Sequence, residues 1–403
     1  MHKRPLTSSE RQEFPLRRLI VSRDLWRGPF PWIVGLLVLC NIWDLRNRAE
    51  LVKEHQANLL MAPQRQLGES DPLAVRYDVS VGSETGRYWP AIPDARTHPL
   101  AILCGMSQMY AINEIKPGDE TISERMDDEV APKGARVFGL AAPNLCNEEA
   151  MLLFLTALSD PRTKPRVFIY GLCFDKFRNV DLRPTYQTFL AQRPEIRAFW
   201  ESTARAAAVK YPLASQKMLA SLHEAVAAAA KTDEAGVESR LRRVIARYVP
   251  LVADRKELNA AIQLQAYLLR NKLLGIKPTT KRPIIEGRNQ LNREFLQLMI
   301  DVAQQQQATL AMYVIPLNPL GENPYVPEQY VQFKQWSEVL CRERGIPFAN
   351  LENAVPAEYW GTFLGGPDFK HFKGEGHRLT AQAVLREFGP ILLGQPAAKG
   401  GIP

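Results

Sequence analysis

Short apolar runs that alternate with helical segments constrain the fold of this chain more than any other feature. Five runs have the length and composition of buried strands: 98–104, 135–140, 166–175, 308–315 and 347–351. Segments with helical spacing, such as 286–300 and 328–344, separate the later runs. Parallel strands need crossover connections, which are usually helices. We therefore expect an α/β fold, a three-layer α/β/α domain around a central parallel sheet of about five strands.

The first predicted strand ends in a turn that presents a serine. Gly105 permits a sharp turn, and Ser107 then lies where the strand gives way to a helix. At the carboxyl edge of a parallel sheet such a hydroxyl is exposed, and free N–H groups of the first helical turn can stabilise an oxyanion. The position suits a nucleophile. It also suits a serine that only caps the helix.

A second motif, Asp368-Phe369-Lys370-His371, lies near the C-terminus. On a turn or at a helix start, Asp368 can accept from one nitrogen of His371 while the other nitrogen faces a serine. Taken alone, the pair is also explained as solvated loop residues. His377 is a weaker candidate base, because near the start of the last helix it can pack or hydrogen-bond locally. If the chain brings Ser107 to this motif, it has a nucleophile, a base and an orienting acid.

Together these motifs resemble the SGNH (GDSL-like) hydrolase superfamily. Its catalytic serine follows the first strand, and its Asp-x-x-His lies just before the final helix. The resemblance covers residues 98–180 and 287–390 and implies an SGNH/flavodoxin-like fold. It also implies that Ser107 is the nucleophile, that His371 is the general base and that Asp368 holds the imidazole.

The resemblance further implies the groups that line the site. Gly139 stands where the superfamily has its second oxyanion-hole block. Gly171 stands where it has Gly-x-Asn-Asp, but the Asn is missing, and Asp175 cannot donate as an amide would, so a third oxyanion donor has to come from elsewhere. Asn318 would line the cleft. Each of Gly139, Gly171 and Asn318 is also explained as a simple turn residue.

Two departures from the superfamily pattern are similar to the membrane-anchored DltD and AlgJ/AlgX-type proteins. They are Gly-x-Ser in place of Gly-Asp-Ser, and the sequence 313–319 on the fourth strand. That branch acts in acylation of cell-surface polymers. The resemblance implies a serine acyltransferase or esterase that O-acylates a cell-surface polysaccharide, by O-acetylation or a D-alanylation-like reaction. Its partners would be the glycopolymer or its acyl donor and a membrane-bound O-acyltransferase. The alternative is a catalytically weak scaffold that binds polymer or tethers the acyltransferase.

The N-terminal region predicts a membrane anchor. Basic residues outnumber acidic ones over 1–29, and 30–43 is uncharged and mostly apolar. Trp26, Trp32 and Trp43 fit an aromatic belt at the membrane interfaces. The run is shorter than the roughly 20 residues that a span needs, so a buried or interfacial helix is the alternative.

A long segment between the third and fourth strands predicts additional helices. Its apolar residues have helical spacing, and two or three helices would form a cap beside the catalytic edge or a packing appendage. The predicted regions are a cytoplasmic tail (1–29), a transmembrane anchor (30–46), a linker (47–95), a catalytic domain (96–390) with a helical insertion at about 185–285, and a flexible tail (391–403). The catalytic domain would lie on the periplasmic or extracellular side of the inner (cytoplasmic) membrane.

Charge and cysteine content exclude some function classes. The net charge of +8 is dispersed, without the basic stripe and interleaved aromatic residues of a nucleic-acid-binding protein. An anionic glycopolymer or a membrane surface is the more natural partner. No cluster of His and Cys has metal-ligand spacing, so we expect no metal and no cofactor. The cysteines outside the predicted anchor are small buried residues or disulfide partners, and their pairing is open: Cys104, Cys146, Cys173 and Cys341.

Overall fold

The computed structural model describes residues 92–109, 119–142, 144–234, 273, 275, 279–363 and 366–395. The chain divides into two units, and all of these residues except Leu273 belong to the unit that comprises 56–242 and 275–403. The predicted cytoplasmic tail, anchor and most of the linker lie outside the described residues, as do 235–272 of the predicted insertion. Within the described part of the chain, no helix is long and apolar enough to cross a membrane.

A five-stranded parallel sheet forms the centre of the described unit. Its strands are β1 (Leu100–Gly105), β2 (Arg136–Ala141), β3 (Val167–Leu172), β4 (Thr309–Val314) and β5 (Phe348–Asn350). The spatial order is β2-β1-β3-β4-β5, and every neighbouring pair is parallel. The five strands predicted from the sequence are confirmed. Because β2 and β3 lie on opposite sides of β1, the chain order reverses there, which places a crevice at the carboxyl end of β1.

Helices cover both faces of the sheet. They are α1 (Ile122–Val130), α2 (Asn147–Ser159), α3 (Pro184–Ala191), α4 (Pro194–Ala207), α5 (Pro212–Glu234), α6 (Glu286–Gln305), α7 (Pro327–Glu343) and α8 (Gly374–Leu392). One core joins α2, α6 and α7 to strand residues such as Ile102, Phe168 and Met312. The other joins α1 and α8 to Leu103 and Ile169. Since successive strand residues alternate between the two cores, both faces are buried, and the fold is the expected three-layer α/β/α arrangement.

The ends of the packed domain differ slightly from the prediction. Ile92 is buried in the core beneath α2, so packed structure begins inside the predicted linker. The last helix, α8, continues to Leu392, inside the predicted flexible tail. At both ends, apolar side chains extend the domain beyond the region that the motifs marked.

Three helices, α3, α4 and α5, form most of the described part of the predicted insertion. They pack on one another, with α4 against α2 and α5 against α6. Trp200 of α4 is fully buried and donates its indole N–H to the carbonyl of Met218 in α5 at 2.8 Å. These helices therefore extend the layer formed by α2 and α6.

A separate two-stranded sheet precedes the last helix. Its strands, β6 (Trp360–Phe363) and β7 (Gly366–Phe372), are antiparallel, with a register shift between Trp360 and Thr362. Trp360 pairs with Phe372, and their rings meet edge to face with centroids 5.2 Å apart. The Asp-x-x-His motif lies on β7, not on the turn or helix start that the sequence predicted, because this pairing buries both aromatic side chains and keeps the segment extended.

Candidate active site

Ser107 begins a short 3-10 turn, Ser107–Met109, immediately after β1. An added Cβ on Gly105 would lie 2.4 Å from the sulfur of Met109, so the glycine gives the turn room to fold back on the strand. The rest of the helix predicted after Ser107 falls on residues outside the described part of the chain. As expected, the serine lies at the carboxyl edge of the sheet.

The two sequence motifs meet at this edge. The Oγ atom of Ser107 lies 2.9 Å from Nε2 of His371, and Nδ1 of His371 lies 2.8 Å from Oδ2 of Asp368. An ionised Asp368 accepts from the Nδ1–H group, which leaves Nε2 as the acceptor for the Ser107 hydroxyl. The fold thus brings the three side chains into a hydrogen-bonded chain from serine to histidine to aspartate.

Backbone hydrogen bonds fix the carboxylate of Asp368. Its Oδ1 atom accepts from the N–H groups of Lys370, at 3.0 Å, and His371, at 3.2 Å. Residues three apart in a regular strand point to opposite faces, and these two hydrogen bonds hold the carboxylate of Asp368 beside His371. Burial alone would raise the pKa of Asp368, but the hydrogen bond and charge of His371 and the two N–H groups hold this pKa below its usual value. The carboxylate is therefore charged at neutral pH.

Gln108, which the sequence analysis did not single out, connects three parts of the site. Its buried side-chain amide donates to the carbonyl of Pro316 at 2.7 Å and to that of Lys370 at 2.8 Å. The residue next to the serine thereby binds both the loop after β4 and strand β7. Adjacency to Ser107 is the only sequence signal that could have drawn attention to it.

Asn318 connects the loop after β4 to strand β7. Its amide nitrogen donates to the carbonyl of Asp368 at 2.8 Å, and its backbone N–H donates to the carbonyl of Phe369 at 3.0 Å. Its side-chain oxygen accepts from the N–H of Leu320 at 2.9 Å. Asn318 is buried and binds the backbone of β7, the strand that carries His371, and its place in the lining of the cleft stays a prediction.

Gly139 and Gly171 lie inside strands. Gly139 of β2 pairs with Leu103, and an added Cβ would lie 2.6 Å from the hydroxyl of Ser123. Gly171 of β3 pairs with Tyr313, and an added Cβ would lie 3.0 Å from the Tyr313 hydroxyl. Both glycines make room for a neighbouring side chain. The oxyanion role that the resemblance implies for them stays a prediction.

The other titratable residues singled out in the sequence lie in the cores. His377 is buried in α8 and packs edge to face on Phe372, with ring centroids 4.8 Å apart. The four cysteines outside the predicted anchor are buried and free, and burial raises the pKa of the Cys104 thiol to about 12. Among the described residues, no group of three or more His, Cys, Asp or Glu side chains is arranged to hold a metal ion.

Comparison with known proteins adds little to this geometry. No family model and no curated protein matches the chain. One matching solved structure is a candidate acylhydrolase from Bacteroides fragilis, with 9% sequence identity and a TM-score of 0.36 over 78% of this chain and 99% of the other. At that TM-score the likeness does not establish a common fold. The functional conclusion therefore depends on the described residues themselves.

Proposed function

We propose that this protein is a serine esterase or acyltransferase of the SGNH type. The observation that carries the proposal is the chain Ser107–His371–Asp368, with distances of 2.9 Å and 2.8 Å, at the carboxyl edge of a parallel sheet. It joins residues from two distant motifs. The hydrogen bond from the serine hydroxyl to His371 weighs against a serine that only caps a helix, and the burial of Asp368 weighs against a solvated loop pair.

The geometry supports acyl transfer in two steps. His371 takes the proton of Ser107 at Nε2 while Oγ attacks the acyl carbon, and it then returns the proton to the leaving oxygen. Asp368 stabilises the imidazolium that forms between these events. In the second step His371 deprotonates water or an acceptor hydroxyl, which attacks the acyl carbon; the bond to Oγ of Ser107 breaks, and His371 returns the proton to Oγ. The backbone N–H of Ser107, at the start of its turn, is suited to bind the oxyanion.

The proposed acceptor is a hydroxyl of a cell-surface polysaccharide. The resemblance to the DltD and AlgJ/AlgX-type proteins and the basic-then-apolar N-terminal sequence support this choice. The same features support attachment to the inner membrane through residues 30–46 and cooperation with a membrane-bound O-acyltransferase. Hydrolysis and transfer use one acyl-enzyme, and they differ in which nucleophile enters the cleft next.

A catalytically weak scaffold is the second candidate. The superfamily pattern Gly-x-Asn-Asp is absent after β3, where Cys173 follows instead, with its sulfur 3.4 Å from the hydroxyl of Tyr325. An amide donor for the oxyanion is therefore missing from that position. Such a protein would keep the fold and bind polymer or its partner while reacting slowly.

Hydrolysis of 4-nitrophenyl acetate by the purified full-length protein tests the proposal. We expect Ser107→Ala and His371→Ala to lower kcat/KM by about 1,000-fold or more, because each removes a member of one reacting unit. His98→Ala is the matched control, since His98 precedes β1 at the opposite edge of the sheet and contacts the carbonyl of Gly134. Equal rates in all variants would refute the proposal, and an inactive wild type would favour the scaffold.

A further inference from the structure

Strand β7 carries the proposed base but is not part of the central sheet. Polar side chains from the ends of three sheet strands reach it. Gln108 follows β1 and Asn318 follows β4, and both donate to carbonyl groups of β7. The third side chain is that of Asp175, which follows β3 and faces the ammonium group of Lys370. Lys370 lies between Asp368 and His371 in the sequence of the motif.

Asp175 is the centre of a buried ionic cluster. It is 5% exposed, and its Oδ2 atom accepts from the hydroxyl of Tyr325 at 3.0 Å. Nη1 of Arg282 lies 3.2 Å from both carboxylate oxygens, and Nζ of Lys370 lies 3.6 Å from Oδ2. Burial alone would raise the pKa of Asp175, but the charges of Lys370 and Arg282 outweigh it and hold this pKa below its usual value. The carboxylate is charged and keeps Lys370 and Arg282 beside it, and Nη1 of Arg178 lies 3.9 Å from Oδ1.

Two cations of the cluster involve adjacent residues of β7, since Lys370 is part of the strand and Arg282 packs on Phe369. Lys370 is buried, and its backbone carbonyl accepts from Gln108, so the residue is held at both its main chain and its side chain. The guanidinium of Arg282 lies over the ring of Phe369, 5.3 Å from its centroid. Arg282 lies near the end of the predicted insertion, and its backbone N–H donates to the carbonyl of Pro324 at 2.7 Å. The cluster therefore holds Phe369 and Lys370, the two residues of β7 that precede His371.

We propose that Asp175 is a positioning residue for the reaction proposed above. By holding Lys370 and Arg282, it keeps strand β7 in the position that brings His371 within hydrogen-bond distance of Ser107. This inference rests on the proposed function. Asp175 touches no reacting atom and acts through Lys370. A displacement of about 1 Å in a catalytic group is enough to lower a rate by about 100-fold, so a strand held by so few contacts is sensitive to losing one.

Asp175→Asn leaves the buried ammonium of Lys370 without its ion-pair partner, whereas Lys370→Met leaves Asp175 paired with Arg282. The informative variants are Asp175→Asn, Lys370→Met and the double variant, all in the full-length protein. The matched control is Asp127→Asn. Asp127 is a fully buried carboxylate that forms an ion pair with Arg136 at 2.9 Å, next to the start of β2 and away from the catalytic edge.

Kinetics on 4-nitrophenyl acetate give the first readout. We expect each single variant to lower kcat by about 10- to 100-fold with little change in KM, because substrate contacts remain while the base is displaced. The double variant should lose no more than the worse single variant, because both residues act through one contact. Asp127→Asn should lower the melting temperature and leave kcat within about twofold. If Asp175→Asn does not fold, Lys370→Met tests the same contact.

Three results would overturn the proposal. They are unchanged kcat in both single variants, losses that multiply in the double variant, or an equal loss in Asp127→Asn. The last result would mean that any buried ion pair of this fold supports activity through stability alone.

NMR of 15N-histidine-labelled full-length protein separates this proposal from the proposed function. Signals of His371 are assigned by their absence in His371→Gln, and those of His98 serve as the reference. We expect Asp175→Asn and Lys370→Met to move the His371 signals and not those of His98. If the wild type is inactive but these signals move, the proposed function fails and the positioning role stands. If the wild type is active and neither kcat nor the signals change, the positioning role fails alone.

Discussion

The nucleophile and the base of the proposed site are held in different ways. Ser107 follows β1, a central strand whose register is fixed by backbone pairing with β2 on one side and β3 on the other. His371 lies on β7, which among the described residues pairs with β6 alone, in a hairpin that contains a register shift. The sheet thus places the nucleophile through many backbone hydrogen bonds. The base depends on a few side chains that bind β7 from neighbouring loops.

This difference predicts where single substitutions act. A side-chain hydrogen bond contributes only about 1 kcal/mol to stability, so its loss leaves the fold intact. The same loss can move the base by a fraction of an ångström, and catalysis is far more sensitive to that distance than folding is. We therefore expect the contacts to β7 to affect rate more than stability. Substitutions in the core around β1 should do the reverse.

Among these substitutions we expect Asn318→Ala to show the largest contrast between loss of activity and loss of stability. The variant removes the amide that donates to the Asp368 carbonyl and the oxygen that accepts from Leu320. We expect kcat on 4-nitrophenyl acetate to fall by about 10- to 100-fold, while the free energy of unfolding falls by only about 1–2 kcal/mol. Steady-state kinetics and urea unfolding of the same preparations give the two values.

Cys104→Ala is the control for this contrast. Cys104 is a fully buried residue of β1 that packs in the core beneath α2. Loss of its sulfur should lower stability by a comparable amount and leave kcat within about twofold, because the backbone pairing of β1 is unchanged. If both variants lose activity to the same extent, it is wrong that the sheet positions the nucleophile whereas side-chain contacts position the base.

We expect Glu148→Gln to have a smaller effect, which is confined to the free energy of unfolding and its pH dependence. Glu148 of α2 is buried and accepts a hydrogen bond from the hydroxyl of Ser221 in α5. Burial raises its pKa to about 7, in contrast to Asp368 and Asp175, whose partners hold their pKa values low. Between about pH 4.5 and pH 7 the folded protein keeps a proton that the unfolded chain releases. This group therefore stabilises the fold at low pH, and the contribution is lost as pH rises through this window.

Unfolding free energies at pH 5 and pH 8 measure this contribution. From the raised pKa of Glu148 we expect wild-type stability to fall by up to about 3 kcal/mol more than that of Glu148→Gln over this range. The kcat value at pH 7 should be the same in both proteins, because α2 and α5 do not hold β7. An identical pH dependence in the two proteins would show that Glu148 is charged in the folded state.

The sequence could predict the parts of the molecule that depend on local pattern. The five strands are buried on both faces, and such strands are recognisable in a sequence as short continuous apolar runs. The turn at Ser107 and the pairing of Asp368 with His371 are also local, and the sheet topology then brings them together. The hairpin that carries Asp368 and His371 was not predicted, since its stability comes from packing of Trp360 on Phe372.

The parts that could not be predicted depend on contacts between distant residues. Gln108 and Asn318 bind β7 through carbonyl groups, which carry no side-chain signature in the sequence. Gly139 and Gly171 occur where a glycine motif was expected, but the reason for each is the side chain beside it, Ser123 or Tyr313. Such roles become visible only when the partner's position is known.

Labelling of the full-length protein with a fluorophosphonate tests the central claim most directly. The reagent forms a stable bond only with a serine whose hydroxyl is activated by a base, and mass spectrometry of peptides identifies the modified residue. We predict modification of Ser107 in the wild type, with a rate at least about 100-fold lower in His371→Ala. No labelling, labelling at another serine, or an unchanged rate in His371→Ala would contradict the account.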